Sequence, residues 1–371
     1  MVQEVIKSEN IYVKMLNKLY VGNYLTSSEL IPLLRDVCAT CGRIKQIKKL
    51  FSSLKSIGVN VLPDIMVHKL RFKIVVAVIN VKKVRRCLSL TNVSTLSPYV
   101  RSIAISFPKK IILTLYVPEK ADIYDILGEY RDSYVYVYDY VVRSKPIPEY
   151  LFMLIEGLEK AFYENIFSSC LENSLNLPED WEKRPRITSL TLHILDFLSL
   201  NPTLTISEVK DEVSKRVNKE FESDKIKRYV RNASKFIYGY RISVSKAPYV
   251  SRMKLCVLIT NTNNNASRFC LSVIRHPLSL TCSWSNQGNI IACFSLPEIG
   301  LAEFVEQLYQ FVDLFGGEIV ECFEYLADKG YTSVINVPYT EWSPLLKYWK
   351  KFNGVLPDIV EKFKHMGCID T

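Results

Sequence analysis

Leu25-Thr26-Ser27-Ser28-Glu29 returns later in the chain as Leu204-Thr205-Ile206-Ser207-Glu208, and the Leu16-x-x-Leu19 before the first stretch returns as Leu195-x-x-Leu198 before the second. Four further pairs of short matches follow in the same order: Arg86-Cys87-Leu88-Ser89 with Phe269-Cys270-Leu271-Ser272, Lys110-Ile111-Ile112 with Asn289-Ile290-Ile291, Asp139-Tyr140 with Glu324-Tyr325, and Pro146-x-x-Glu149-Tyr150 with Pro338-x-x-Glu341-Trp342. Such a colinear series predicts an internal duplication, so an element found in one half can be tested in the other.

The composition is typical of a globular protein of two to four domains. The chain has 371 residues, of which 48% are apolar and 23% charged. It contains no run of about 18 apolar residues, and Met1-Val2-Gln3-Glu4 does not resemble a secretion signal, so we expect a cytoplasmic protein with no membrane partner. Ten cysteines lie largely in apolar stretches, as Cys256, Cys293 and Cys322 do. This placement favours buried thiols over a disulfide framework.

Apolar spacing and capping residues predict three short helices in each half. In the first half they cover 11–21, a segment from a Thr26 or Ser27 cap through Cys38, and a segment from Arg43 to Ile57. In the second half they cover 187–200, 206–217 with Thr205 as cap, and 224–238 with Ser223 as cap. Three short helices with a tight link between the second and the third are typical of a helix-turn-helix unit.

Each trihelical segment leads into a β-α-β-β-α-β pattern, which is the order of a ferredoxin-like domain. The first copy has predicted strands at 72–79, 100–106, 111–117 and 134–142, and helices at 81–92 and 121–130. The second copy has predicted strands at 253–259, 279–285, 290–296 and 318–326, and helices at 264–275 and 301–315. One additional helix is predicted after each copy, at 148–165 and 340–352.

The predicted fold class is therefore α+β, with two tandem repeats of a (winged) helix-turn-helix unit followed by a ferredoxin-like domain. The expected domains are a helix-turn-helix domain at 1–62, a ferredoxin-like domain with an extra helix at 68–165, a linker at 166–186, a second helix-turn-helix domain at 187–245, and a second ferredoxin-like domain with C-terminal helices at 250–371.

The third helix of each trihelical segment carries a basic face. Segments 43–55 and 225–235 hold five cations each and no acid, against a net charge of +10 for the whole chain. A helix fits the major groove of DNA, where cations hold phosphates and polar tips contact base edges. The predicted DNA-binding residues are Arg43, Lys45, Gln46, Lys48, Lys49 and Lys55 in the first copy, and Lys225, Lys227, Arg228, Arg231, Asn232 and Lys235 in the second. The alternative is a solvated basic face that binds nothing.

A helix-turn-helix unit followed by a ferredoxin-like domain resembles the Lrp/AsnC (feast/famine) transcription regulators of bacteria and archaea. The resemblance implies assembly through the ferredoxin-like domains, an amino-acid effector, and DNA contacts from the helices at 43–57 and 224–238. The chain departs from the family in carrying two copies and extra helices. The loop before the last strand, Gly128-Glu129-Tyr130-Arg131-Asp132 in one copy and Phe315-Gly316-Gly317-Glu318 in the other, assigns no effector site.

These patterns together predict a DNA-binding transcription regulator, archaeal, and not an enzyme. Its two recognition helices would lie about 34 Å apart, one turn of duplex, in a pseudo-dimeric chain. Two alternatives stay open. One is a winged-helix interaction module of the transcription machinery. The other is an RNA-binding protein that uses a sheet face, for which Tyr134, Tyr136, Tyr138 and Tyr140 alternate along one strand.

The sequence offers no set of residues for catalysis, metal binding or a cofactor. Cys38-Ala39-Thr40-Cys41 lacks the second ligand pair that a zinc site needs, and the four histidines are scattered. Nucleophile elbows and glycine-rich phosphate loops are absent from the sequence. We therefore expect no cofactor and no metal.

Overall fold

The computed structural model describes residues 2–22, 26–35, 37, 43–80, 98–106, 110–121, 133–157, 166–245, 247–326, 332–333, 338, 341–350, 358–359, 361 and 365. Within these ranges the chain mixes helices with strands and contains a large antiparallel sheet. The predicted α+β class is confirmed at this level.

The chain divides into two compact units, each assembled from separate segments. Unit 1 consists of Met1–Lys69, Val142–Tyr249 and Leu271–Leu280. Unit 2 consists of Leu70–Val141, Val250–Cys270 and Thr281–Thr371. Both predicted trihelical segments therefore lie in unit 1, and most of both predicted strand-rich segments lie in unit 2.

The helices of the described residues are α1 Val2–Val21, α2 Ser27–Arg35, α3 Ile44–Ser56, α4 Pro148–Glu156, α5 Ile166–Glu172, α6 Ser189–Leu200, α7 Ile206–Val217, α8 Ser223–Ala233, α9 Ala266–Val273 and α10 Leu301–Leu314. The strands are β1 Val59–Ile65, β2 Phe72–Asn80, β3 Val100–Ser106, β4 Lys110–Pro118, β5 Ser133–Tyr138, β6 Tyr140–Arg143, β7 Ile237–Val244, β8 Val250–Thr260, β9 Ser279–Trp284, β10 Ile290–Pro297, β11 Glu318–Leu326, β12 Thr332–Ser333, β13 Trp342–Ser343 and β14 Tyr348–Trp349.

In unit 1, three helices precede a strand twice: α1 to α3 precede β1, and α6 to α8 precede β7. The two strands pair antiparallel, with Val59 opposite Val244 and Val61 opposite Ile242. Tyr240 and Ile242 of β7 are buried in the same core as the side chains of α1, α2 and α3. The pairing of β1 with β7 therefore joins the two helical segments into one hydrophobic body.

Gly239 makes this close packing possible. Its φ is +62°, and a Cβ placed there would lie 1.9 Å from the carbonyl oxygen of Tyr20 at the end of α1. Glycine alone tolerates both the left-handed backbone and the contact with another backbone. The approach of β7 to α1 thus depends on this one residue.

In unit 2, the strands form a sheet in the order β5-β2-β4-β3-β11-β8-β10-β9-β6, with β12 paired to β3. The first four strands and the next four follow the same relative order, the fourth strand of each set lying beside the first. The two sets meet where Tyr325 of β11 lies opposite Ser106 of β3. Strands β2 and β8 are internal, which accounts for the continuous apolar sequence that identifies both of them.

Two helices of unit 2 cover the second set of strands through aromatic contacts. Phe269 of α9 lies 5.3 Å from Phe311 of α10 between ring centroids. Phe304 of α10 lies 5.6 Å from Phe294 of β10, edge to face. These side chains are almost fully buried and fill the space between the helices and the sheet.

The helix predicted at 340–352 is wrong, because this segment contains a β-hairpin. Trp342 of β13 lies opposite Trp349 of β14, and Lys347 in the turn has a φ of +51°. Trp349 is buried, and its indole donates a hydrogen bond of 2.6 Å to the carbonyl oxygen of Leu70. Pro344 between the strands removes a backbone donor that a helix requires.

Several predicted boundaries also need correction. The helix predicted over 224–238 ends at Ala233, and Ile237 begins β7; its predicted cap, Ser223, is already helical.

The helix predicted over 148–165 ends at the left-handed Gly157, and the predicted linker 166–186 contains α5. The strand predicted over 134–142 is divided into β5 and β6. Thr205 caps α7 as predicted. The predicted helices at 81–92 and 121–130 and the Cys38–Cys41 pair lie outside the described residues.

The expectation of buried thiols is wrong for four cysteines of unit 2. Cys256 of β8 forms a disulfide with Cys293 of β10, and Cys270 of α9 forms one with Cys282 of β9. Among the described residues Cys170 is free and buried, whereas Cys322 is free and exposed. The apolar surroundings of Cys256 and Cys293 predict burial, but they do not reveal that β8 and β10 place the two residues directly opposite each other.

Helices in the described part of the chain are nowhere both long and apolar enough to span a membrane.

Replacing Gly239 with alanine should destabilise the protein by about 3 kcal/mol or more, because the added carbon collides with a backbone oxygen that cannot move independently. Gly316→Ala is the control. Gly316 also has a positive φ, of +68°, but its added carbon would meet no atom within 4 Å. Urea unfolding followed by circular dichroism measures both. Equal losses for the two variants would contradict the close contact between β7 and α1.

The Cys256→Ala/Cys293→Ala variant should lose roughly 2–4 kcal/mol of unfolding free energy, because the bond closes a loop across a sequence separation of 37 residues. Cys322→Ser, at a free and exposed thiol, should be nearly neutral. Thermal unfolding with and without reductant provides the comparison. Unchanged melting of the parent protein in reductant would contradict the disulfide assignment.

Candidate functional site

The basic pocket of unit 1 is built on α8 and on the segment that leads into α6. Ile226, Val230 and Ala233 of α8 are buried, so they form the face of the helix that packs against the interior of unit 1. Val230 occupies the core position in the middle of the helix. Tyr229 instead lies at the edge of a cavity of about 310 Å³.

Six residues line the basic pocket: Arg186, Thr188, Lys225, Arg228, Tyr229 and Asn232. Three of the six are cationic and none is acidic. Asn232 connects the two elements. Its side-chain amide donates to the carbonyl oxygen of Arg186 at 3.0 Å and to Oγ1 of Thr191 at 3.1 Å. These bonds hold α8 against the start of α6, so the three cations surround the cavity from two different elements.

Thr188 fixes the other wall of the basic pocket. It is the N-cap of α6, and its hydroxyl accepts a hydrogen bond of 3.1 Å from the backbone N–H of Thr191. A capped helix start with no acidic residue in its first turn is favourable to an anion. The arrangement therefore combines cationic side chains with aromatic and hydroxyl groups, which is the chemistry of a small anion site.

The remaining predicted residues of the second copy do not reach this cavity. Lys227 is exposed and forms an ion pair of 3.0 Å with Asp224. Arg231 is exposed, and Lys235 lines a different cavity of about 390 Å³ beside Tyr238 and Asp180. The structure thus brings together Lys225, Arg228 and Asn232 of the predicted set.

The predicted residues of the first copy are spread over α3. Arg43, Lys45, Lys49 and Lys55 are exposed and Gln46 is half-buried. Lys48 forms an ion pair of 2.8 Å with Glu208 at the start of α7, and this contact lowers the pKa of the carboxyl group. One predicted phosphate contact is therefore already neutralised within unit 1.

A buried ionic cluster, defined by Asp64, Arg143 and Lys145, lies in the interior of unit 1. Arg143 donates to Oδ1 of Asp64 at 2.5 Å, and Nζ of Lys145 lies 3.4 Å from Oδ2 of the same carboxylate. Burial raises the pKa of Asp64, but the two cations outweigh that effect and hold it below its usual value. The carboxylate is therefore ionised and anchors both cations.

Lys145 is fully buried and sits against Tyr238 of β7. Its ammonium lies 3.3 Å from the ring centroid of Tyr238 and donates to the carbonyl oxygen of that residue. Burial lowers the pKa of Lys145 to about 8, while Asp64 opposes the shift. This lysine ties the segment after β6 to β7.

His276 is a second buried titratable group of unit 1. Its ring stacks on Phe167 with 4.5 Å between centroids, and its Nδ1 accepts a hydrogen bond of 3.2 Å from the backbone N–H of Leu278. Burial lowers the pKa of His276 to about 3. The residue is therefore neutral in the folded protein at neutral pH.

Sequence reasoning missed Arg186, Thr188 and Tyr229 in the basic pocket and the whole buried ionic cluster. Arg186 lies in the polar stretch that was predicted to be a linker. Asp64 is an isolated acid in an apolar stretch. A charged residue within an apolar strand is a usable signal, because a buried charge requires a partner. Across the described residues, no group of three or more His, Cys, Asp or Glu side chains is placed to hold a metal ion.

No family model matches the chain, and no curated protein matches it. Two solved structures are similar in fold. The siroheme decarboxylase NirDL is 13% identical, with 96% of this chain and 100% of that chain covered and a TM-score of 0.48. The same enzyme in co-complex with an iron-uroporphyrin III analogue is 12% identical, with 96% and 98% covered and a TM-score of 0.47. At this identity the likeness is one of coarse fold.

The predicted function, a DNA-binding transcription regulator that is not an enzyme, is wrong. The solved structures that resemble the chain are of an enzyme, and one contains an iron-uroporphyrin analogue instead of DNA. Its alternatives and its predicted partner, duplex DNA, are therefore wrong as well. The contacts made by Lys48 and Asn232 agree with the correction, because they commit two proposed DNA-reading side chains to intramolecular partners.

The lowered pKa of His276 should make the free energy of unfolding decrease in acid. The unfolded chain binds a proton at this residue near pH 6.5, whereas the folded chain does so only near pH 3, so stability falls as the pH falls from about 6.5 to about 3. His276→Asn keeps an acceptor for Leu278 and cannot take up the proton. Urea unfolding at pH 7, 6 and 5 should show a shallower decline for this variant. An identical slope would contradict a buried neutral His276.

Proposed function

We propose that unit 1 binds a small polycarboxylate anion in the basic pocket. One observation carries this proposal: Arg186, Lys225 and Arg228 surround one cavity whose six lining residues include no acid. Three cations around one cavity repel one another, and an anion with several charges relieves that repulsion at every one of them.

The type of donor favours carboxylates. A guanidinium group presents two parallel N–H donors that match the two oxygens of a carboxylate, and two of the three cations in the pocket are arginines. Tyr229 adds an aromatic surface beside Arg228 for the carbon skeleton of the ligand. A volume of about 310 Å³ is at the lower end for small-molecule pockets, enough for a tricarboxylate or for the carboxylate-bearing edge of a larger ring.

We also propose that the chain is a tandem duplication of a unit with Lrp/AsnC-like architecture, a helix-turn-helix segment followed by a ferredoxin-like sheet. Support comes from the colinear sequence matches, from the two sets of three helices that precede β1 and β7, and from the shared strand order of the two halves of the sheet in unit 2. In this proposal the helix-turn-helix segment of the second copy serves as a pocket for a small molecule.

Binding of two polycarboxylates tests the function. Citrate represents a small tricarboxylate, and iron-uroporphyrin III represents a tetrapyrrole that carries several carboxylate arms. Arg228→Gln and Lys225→Gln should each weaken binding about 10–100-fold, because each removes a charge-assisted hydrogen bond. Calorimetry measures citrate binding, and visible absorption measures binding of the porphyrin.

Lys227→Gln is the matched control, since it removes a cation from the same helix outside the pocket and should leave both affinities unchanged. Inorganic phosphate serves as a competing anion and should bind more weakly than citrate. The proposal fails if the pocket variants bind both polycarboxylates as the parent does. It also fails if phosphate binds to the parent and neither polycarboxylate does.

A further inference from the structure

Arg275 is a buried cation without a buried counter-ion. Its side chain belongs to a residue that is only 5% exposed, in the segment of unit 1 that follows α9. One terminal nitrogen donates to the carbonyl oxygen of Lys145 at 2.7 Å, and the Nε atom has no hydrogen-bond partner among the described residues. A neutral carbonyl oxygen does not compensate a full positive charge.

The groups next to Arg275 supply no buried negative charge at physiological pH. The guanidinium carbon lies 5.2 Å from the ring centroid of Tyr20. Burial raises the pKa of both Tyr20 and Cys170 well above neutrality, so neither becomes an anion. Glu149 contributes a negative charge in the neighbourhood, but its side chain is exposed, and it forms no ion pair with Arg275 within the described part of the chain.

Tyr20 supplies a second unused donor beside Arg275. The residue is 1% exposed, and its hydroxyl oxygen has no partner within the described residues. A buried hydroxyl without a hydrogen-bond partner destabilises the folded state, and a buried cation without a counter-ion destabilises it more. One acceptor between the two groups removes both costs.

The buried ionic cluster does not supply that acceptor. Asp64 is occupied by Arg143 and Lys145, so its charge is more than neutralised by its own partners. Counting Arg143, Lys145 and Arg275 against Asp64 and the exposed Glu149 leaves the interior with an excess of positive charge. An anion beside Arg275 and Tyr20 therefore stabilises the interior more than a water molecule does. Water accepts hydrogen bonds from both donors, but it does not neutralise the positive charge.

We infer that Arg275 and Tyr20 form a buried binding site for a small monovalent anion of the size of chloride. The site is distinct from the basic pocket, and the inference does not rest on the proposed function. Bound chloride accepts from Nε of Arg275 and from the hydroxyl of Tyr20. It stabilises the contact between the end of α1 and the segment 271–280.

Thermal unfolding of the full chain at constant ionic strength tests the inference, with chloride replaced stepwise by gluconate. The melting temperature should rise by about 2–4 °C for each tenfold increase in chloride above its dissociation constant. Tyr20→Phe keeps the ring and removes the donor, so half-saturation should need about tenfold more chloride. Arg275→Met should abolish the chloride dependence. Arg228→Gln, a cation of the basic pocket, should retain it.

Crystals soaked in bromide give a direct answer that does not depend on any variant folding. An anomalous peak within hydrogen-bond reach of Nε of Arg275 and the hydroxyl of Tyr20 supports the site. No peak there at saturating bromide overturns the inference. So does a chloride dependence that is absent from the parent protein or unchanged in Tyr20→Phe.

Discussion

The antiparallel pairing of β1 with β7 is the interaction on which unit 1 depends. It places Tyr240 and Ile242 in the hydrophobic core of the first three helices. It also brings the end of β1, where Asp64 lies, next to Tyr238 and the lysine that packs on it. Because β7 follows α8 after a single 3₁₀ turn, the same pairing positions the helix that carries most of the basic pocket. The glycine at position 239 is the local requirement for this arrangement.

Charge is distributed in unit 1 in two distinct ways. Inside, a single carboxylate holds two cations, and the buried Arg275 remains without an ionic partner, so the interior is positive. On the surface of α8, Lys227 forms a local ion pair, Lys225 and Arg228 line one cavity, and Arg231 is exposed. Both arrangements are favourable to anions, but they differ in exposure: Arg275 is buried, whereas Arg228 of the basic pocket is exposed.

Periodicity predicted most helices and strands of the described residues, because a face that is buried shows as a regular spacing of apolar residues. Helix α5 was missed, since it lies in the predicted linker. Strands β1 and β7 were missed for different reasons. The predicted helix 224–238 extends into β7, because Ile237 and Tyr238 continue its apolar spacing, whereas residues 59–65 were assigned to no element. The hairpin at 342–349 was predicted as a helix because its tryptophans also fit helical spacing, although Pro344 argues against a helix there. The pairing of Trp342 with Trp349 distinguishes the two structures.

The candidate site was predictable in part for a similar reason. Lys225, Arg228 and Asn232 stand out as a cationic face without acids. The pocket also needs Arg186, which lies before α6, far from α8 in sequence, and whose carbonyl oxygen accepts a hydrogen bond from Asn232. The spacing of residues describes one helix at a time. The basic residues of α8 were therefore interpreted as one exposed face that binds a long polyanion such as DNA. That Arg186 and α8 line the same cavity depends on the tertiary fold, so it could not be predicted from the spacing of residues along one helix.

The most direct measurement is a crystal structure of the full chain with citrate bound. We expect electron density for the ligand in the cavity on α8, with its carboxylate oxygens in contact with Arg186, Lys225 and Arg228. Citrate found only elsewhere on the chain, with these three side chains directed away from the cavity, would contradict it.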